Sequence, residues 1–113
     1  MVSLSKQAQQ RLNLWQRHCQ EQKALYTAEI ENRRALGRRH EQEYHDLSSR
    51  RLSYYELPIL LRQQDSELME FRAIYQERWW RLIVRQEQEK ADLEIVLKRA
   101  DQEVNSEKNR IAW

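Results

Sequence analysis

The stretch Tyr54-Tyr55-Glu56-Leu57-Pro58-Ile59-Leu60-Leu61 decides the fold, because Pro58 is the only proline in 113 residues and stands almost at the midpoint of the chain. Proline fixes its own backbone angle, lacks an amide donor and pushes the preceding residue out of the helical region. It is nevertheless well tolerated in the first turn of a new helix. Little on either side of this stretch would stop a helix. The pattern therefore predicts a helix over residues 4–55, a tight reversal over 56–58 and a second helix over 58–110. The expected fold is all-α, two long helices forming an antiparallel coiled-coil hairpin, in a single domain over residues 1–113.

Composition agrees with that reading. Charged residues make up 34% and hydrophobic residues 40% of the chain, with a single glycine. Few breakers and many straight-chain residues are the signature of long helices and coiled coils. A mean hydropathy of -1.04 would also suit a disordered chain, but four Trp, five Tyr and a leucine-rich stripe exceed what disordered segments carry. The 20 basic and 18 acidic residues are closely interleaved, as on a solvated helix exterior. A nucleic-acid footprint would gather the basic residues on one face. Cys19 is the one cysteine, so no internal disulfide can form and a reducing compartment is expected. The start, Met1-Val2-Ser3-Leu4-Ser5-Lys6, leads into polar helix without an apolar signal region. No run approaches the roughly 18 apolar residues of a membrane span. A soluble, cytoplasmic protein is the expectation.

In the first helix, capped by Ser3 or Ser5, apolar residues recur at three- and four-residue steps. The stripe is Leu4, Ala8, Leu12, Trp15, Cys19, Gln22, Tyr26 and Ile30, continuing through Arg33, Leu36, His40, Tyr44, Leu47, Arg51 and Tyr54. Polar residues on such a seam lower stability while limiting registers. Gly37 is read as a passive position that weakens the helix by about 1 kcal/mol relative to alanine, with a bend or close helix approach as the alternative. Arg33, Arg34, Arg38 and Arg39 form a basic band. They either pair with Glu29, Glu31, Glu41 and Glu43 on the same helix, for about 0.5 kcal/mol each at most, or meet an acidic surface on a partner. His18, His40 and His45 have the wrong spacing for a pair of ligands one turn apart, so no metal site is expected. His40 is read as a satisfied polar residue of the seam.

The second helix carries the longer stripe: Leu61, Gln64, Leu68, Phe71, Tyr75, Trp79, Leu82, Gln86, Glu89, Leu93, Val96, Ala100, Val104, Glu107 and Ile111. Its polar interval between Arg85 and Lys90 predicts loose, mobile packing. In the segment from Tyr75 to Gln86, Trp79 and Ile83 fall on one side of the helix and Trp80 and Val84 on the next, more circumference than a two-helix seam buries. The surplus either broadens the core against Tyr26 and Leu36 or forms a docking surface. Aromatic residues ringed by arginine have the composition of an interface hot spot. The candidate partner-binding residues are Tyr75, Arg78, Trp79, Trp80, Arg81, Ile83, Val84 and Arg85. Trp113 either packs beside Leu4 or enters a partner. At the tip, Tyr54, Tyr55, Leu57, Ile59 and Leu60 are a larger apolar load than a plain reversal needs. They either plug the end of the coiled coil or form a docking end.

Catalytic chemistry has no foothold in this pattern. One glycine cannot make a phosphate-binding loop. Carboxylate pairs such as Glu87/Glu89 and Asp92/Glu94 lie on expected helix surface with no cavity for acid–base work. Ser48, Ser49 and Ser53 lack a base and an oxyanion site. No catalytic residue, cofactor or metal is expected. A helical nucleic-acid binder and a generic coiled-coil adaptor are the alternative non-enzymatic classes.

Two segments carry a family likeness: Met1-Val2-Ser3-Leu4-Ser5 with Leu12 to Cys19, and Arg78-Trp79-Trp80-Arg81-Leu82-Ile83-Val84-Arg85-Gln86. With the Gln-, Arg- and Glu-rich helical hairpin, they resemble the central-stalk proteins of type III secretion systems, the FliJ/YscO family, and within it the SpaM/InvI branch. The resemblance implies a stalk in the pore of the hexameric secretion ATPase, with contacts to the export gate protein and, in some members, to secretion chaperones. It places the protein at the cytoplasmic face of a bacterial secretion apparatus. Two helices of about fifty residues at 1.5 Å per residue would give a rod of roughly 75 Å, enough to cross a ring.

Overall fold

The computed structural model describes residues 5–50 and 53–111. The fold is all-α: two long helices, α1 (Lys6–Ser48) and α2 (Ser53–Ile111), pair antiparallel as a helical hairpin. Residues met later along α1 find their partners earlier along α2, from Gln7 with Asp101 to His40 with Gln64. Ser5 opens α1, its Oγ accepting the amide of Ala8 at 3.1 Å. This is the bond by which an N-cap satisfies one of the amides left over in a first turn. The alternative cap, Ser3, lies outside the described residues, as do Leu4, Arg51 and Trp113.

The reversal comes earlier than the proline suggests. Helix α1 ends at Ser48 rather than at 55, and α2 starts at Ser53 rather than at 58. Two consecutive serines end α1: Ser48 Oγ donates to the carbonyl of His45 at 3.0 Å and Ser49 Oγ to that of Asp46 at 2.8 Å. The amide of Arg50 closes on the carbonyl of Leu47 at 3.0 Å, a tightened last turn. Serine hydroxyls that bond nearby backbone in this way compete with the helical ladder. Pro58 consequently sits inside α2, where it deprives the carbonyl of Tyr54 of its helical donor. In a helix interior that costs about 3 kcal/mol. Here it falls just past the first turn, and Tyr54 is 84% exposed, so water reaches the region of the orphaned carbonyl. No described residue other than glycine, nor the glycine, has positive φ.

The hairpin divides into two compact units, Met1–Gln22 with Arg81–Trp113, and Lys23–Trp80. In the second, Leu47 and Tyr75 are buried. Phe71 lies against Tyr75 with ring centroids 4.7 Å apart, and Asn32 Nδ2 donates to the Tyr75 hydroxyl at 2.5 Å. Beside them Trp79 is half-buried and its Nε1 donates to Glu29 Oε2 at 2.8 Å. In the first unit Leu97 is buried, but so are His18 and Gln86. Half-buried Leu14, Leu82 and Leu93 flank them. An exposed ion pair joins Arg11 to Glu94 at 2.7 Å. From Lys98 to Arg110 every residue of α2 is exposed.

The stripe of α2 from Gln64 to Leu93 faces α1 as its spacing predicts, whereas Leu61 and Val96 yield their places to Leu60 and Leu97. The stripe of α1 holds at Ala8, Leu12, Gln22, Ile30, Leu36, His40 and Leu47 and slips by one residue elsewhere: Trp15, Cys19, Tyr26 and Tyr44 are exposed, and Leu14, His18, Leu25 and Glu43 take their places. Adjacent apolar pairs, Leu14-Trp15 and Leu25-Tyr26, make both frames available. The seam takes an aromatic residue where its polar atom finds a partner on the other helix, as Tyr75 and Trp79 do with Asn32 and Glu29, and takes leucine at these two pairs. Gly37 is exposed, and a methyl group there would meet nothing within 4 Å, so it does not serve a close helix approach. Among the described residues no helix is long and apolar enough to cross a membrane.

Candidate functional site

The interval from Arg85 to Lys90, expected to pack loosely, contains the most buried side chain in the described structure. Gln86 is 1% exposed. Its Nε2 donates to the backbone carbonyl of His18 at 3.0 Å, and its Oε1 accepts from Gln22 Nε2 at 2.7 Å. A buried amide with donor and acceptor both used fixes two helices more specifically than an apolar contact. That is why a polar interval here packs tightly.

Around this lock stands a cluster of ionisable groups. His18 and Glu21, three residues apart, share a face of α1, and Glu89 faces them from α2. His18 Nε2 lies 3.5 Å from Glu89 Oε1, yet neither ring nitrogen of His18 has a hydrogen-bond partner. Glu89 accepts from Arg17 Nη2 at 2.5 Å and from Arg85 Nη1 at 2.6 Å, and Arg85 also pairs with Glu21. The hydrogen bond from Arg85 holds the Glu21 carboxyl below its ordinary value of 4.5, against the opposing pull of desolvation.

The other unit holds the same arrangement. Gln64 Nε2 donates to the carbonyl of His40 at 2.9 Å, and His40 Nε2 lies 3.7 Å from Glu67 Oε2. That nitrogen too is buried without a hydrogen-bond partner, so His40 is on the seam as expected but is not satisfied there. Arg39 pairs with Glu43 at 3.3 Å and with Glu67. The likeness is written in the sequence. Leu14, Arg17, His18, Gln20, Glu21 and Leu25 recur 22 residues on as Leu36, Arg39, His40, Gln42, Glu43 and Leu47. In α2, Leu60, Gln64 and Glu67 recur at the same interval as Leu82, Gln86 and Glu89. Twenty-two residues are about six helical turns, so each repeat returns to the same face. A search for histidine pairs one turn apart misses these clusters, because each takes its third member from the other helix; the internal repeat reveals them.

The residues between Tyr75 and Arg85 divide. Tyr75 is 3% exposed and belongs to the seam, with the Arg78 guanidinium 4.9 Å over its ring. Trp79 is tied to Glu29, Arg85 to Glu21 and Glu89, and Arg81 is likewise engaged. The remaining apolar groups face solvent: Trp80 is 67%, Val84 47% and Ile83 41% exposed. Tyr26 is exposed as well, so Trp80 and Val84 do not broaden the core against it. At the tip, Tyr54, Tyr55 and Ile59 are exposed, the two tyrosines meeting edge to face at 5.6 Å. Leu57 and Leu60 of the same tip set are half-buried, and Leu60 lines a groove with Leu47. In the basic band Arg33, Arg34, Arg38 and Arg39 are all exposed, and of the expected pairs along the same helix Arg39 with Glu43 is formed.

Comparison with protein-family models, with curated proteins and with solved structures finds no match to this chain.

Proposed function

We propose that the chain is a non-enzymatic stalk of a type III secretion system, inserting in the hexameric secretion ATPase, promoting its activity and linking it to the export gate. The reading begins from the family resemblance of the Leu12 to Cys19 and Arg78 to Gln86 segments. The observation that carries it further is how the polar residues are used. The two helices hold each other through Gln86, Gln64, Trp79 and cross-helix ion pairs, while Trp80, Val84, Tyr54 and Tyr55 are left in solvent. An assembly that spends its polar groups internally and its aromatic groups externally is suited to docking. The exposed arginines of the basic band suit weak, exchangeable contacts with a pore lining, since solvated ion pairs contribute little each. The concavities are grooves along the helix pair, such as that lined by Leu36, Phe71 and Ile74, a shape suited to a side chain of a partner.

Titrating the purified chain into the cognate secretion ATPase tests this. Hydrolysis should rise and hexamers should be favoured over monomers in light scattering; no change over a wide concentration range counts against the stalk. Trp80→Ala should weaken binding to the export gate or a chaperone without unfolding the chain.

A further inference from the structure

We propose that His18, Glu21 and Glu89 form a binding site for a divalent transition-metal cation of the zinc class, and that His40, Glu43 and Glu67 form a second copy of it. In each cluster one imidazole nitrogen and two carboxylate oxygens lie within 4.8 Å of one another. The closest cross-helix pairs, His18 Nε2 to Glu89 at 3.5 Å and His40 Nε2 to Glu67 at 3.7 Å, are near the separation of about 3.3 Å between neighbouring ligands of a tetrahedral zinc ion. Small rotations of the glutamates would complete either set, leaving a fourth position for water.

The His18 imidazole supplies the independent observation, and half-buried His40, with its Nε2 unpaired, repeats it in part. His18 is 2% exposed and neither of its ring nitrogens is hydrogen-bonded. Buried polar atoms in folded proteins are normally paired, and an orphan costs free energy. An imidazole beside two carboxylates, with a lone pair aimed at no donor, is a ligand set that suits zinc over magnesium or calcium, which prefer all-oxygen shells. The backbone that carries each histidine is also held in place, because Gln86 and Gln64 donate to the backbone carbonyls of His18 and His40.

Occupancy would displace existing ion pairs. Glu89 pairs with Arg17 and Arg85, Glu21 with Arg85, and Glu43 and Glu67 share Arg39. These arginine side chains are about half exposed, between 49% and 57%, so they can swing into water as a cation takes their place. The ion would then bridge α1 and α2 within each unit.

Equilibrium dialysis of the full chain against Zn²⁺, with the bound ions counted, tests the proposal. Two ions per chain are expected, falling to one in His18→Gln and to none in His18→Gln/His40→Gln. Cys19→Ser/His45→Gln removes two exposed soft ligands and should keep both ions. Zn²⁺ should also raise Tm by about 5 °C, a shift absent in the double histidine variant and absent with Mg²⁺. Glu89→Gln and Glu67→Gln, which keep the side-chain shape, should each remove one ion, so the result does not depend on the histidine variants folding perfectly. No uptake by the unaltered chain, or uptake that survives loss of both histidines, or uptake lost with Cys19 and His45, overturns it.

Discussion

The side-chain amide of Gln86 donates to the backbone carbonyl of His18 across 3.0 Å, in the most deeply buried position among the described residues. Gln86→Ala removes that bond and the one from Gln22, and opens a void beside an unpartnered imidazole. A loss of about 2 kcal/mol is expected, read from urea unfolding. Gln64→Ala should cost less, since Gln64 is only half-buried.

The neighbouring tryptophans should respond oppositely to truncation. Trp79→Ala takes a half-buried indole from the seam and leaves Glu29 without its donor, a cost of about 2–3 kcal/mol. Trp80→Ala, at a residue 67% exposed, should change stability by no more than about 0.5 kcal/mol. Thermal melts of the two variants check this directly.

Gly37→Ala should stabilise the chain. The position is exposed, helical and open to a methyl group, so only the backbone entropy of glycine changes. A gain of about 0.5–1 kcal/mol follows, measured as a higher denaturation midpoint with an unchanged slope.

Acid should weaken the hairpin through Glu21 and Glu94. Hydrogen bonds from Arg85 and from Arg11 respectively hold both carboxyls below their ordinary value of 4.5. A carboxyl depressed in the folded state binds more protons when unfolded. Its contribution is therefore present above pH 4.5 and lost as pH falls through the lower folded value. Unfolding curves between pH 7 and pH 3 should show that decline, and Glu21→Gln with Glu94→Gln should flatten it.

At the tip, Tyr55→Ser should leave stability within about 0.5 kcal/mol, because Tyr55 is 74% exposed. Leu47→Ala, at a buried seam position, should cost about 2 kcal/mol or more. Equal losses in the two variants would mean that the tyrosine does help close the end of the seam.

Much of this arrangement is legible in residue spacing and some of it is not. The three- and four-residue steps through Gln64, Phe71, Tyr75, Trp79, Leu82 and Leu93 identify the buried face of α2, even with Ile74, Trp80 and Ile83 beside them, because one frame is kept without a break from Gln64 to Leu93. In α1, Leu14 beside Trp15 and Leu25 beside Tyr26 offer two frames, and the choice depends on what the opposite helix can accommodate. Pro58 points to a reversal over 56–58, whereas Ser48 and Ser49 make it earlier. Serine acts here through hydroxyl bonds to the last carbonyls, a signal that exists only when two or three such residues cluster. The histidine clusters could be anticipated only from the repeat of Leu-x2-Arg-His-x-Gln-Glu-x3-Leu, since each is completed by a glutamate distant in sequence.

The exposed end of α2 has a kinetic consequence. Past Leu97 the helix has no buried side chain through Arg110, and a helical segment of that length is marginal without a packed face. Lys108 and Arg110 in the last turn favour the negative end of the helix dipole, worth a few tenths of a kcal/mol each. Amide hydrogens there should exchange with solvent first, and protection should climb toward Leu97. Unravelling thus has a preferred starting point, and a binding partner that seized this end would hold in place the segment that frays first.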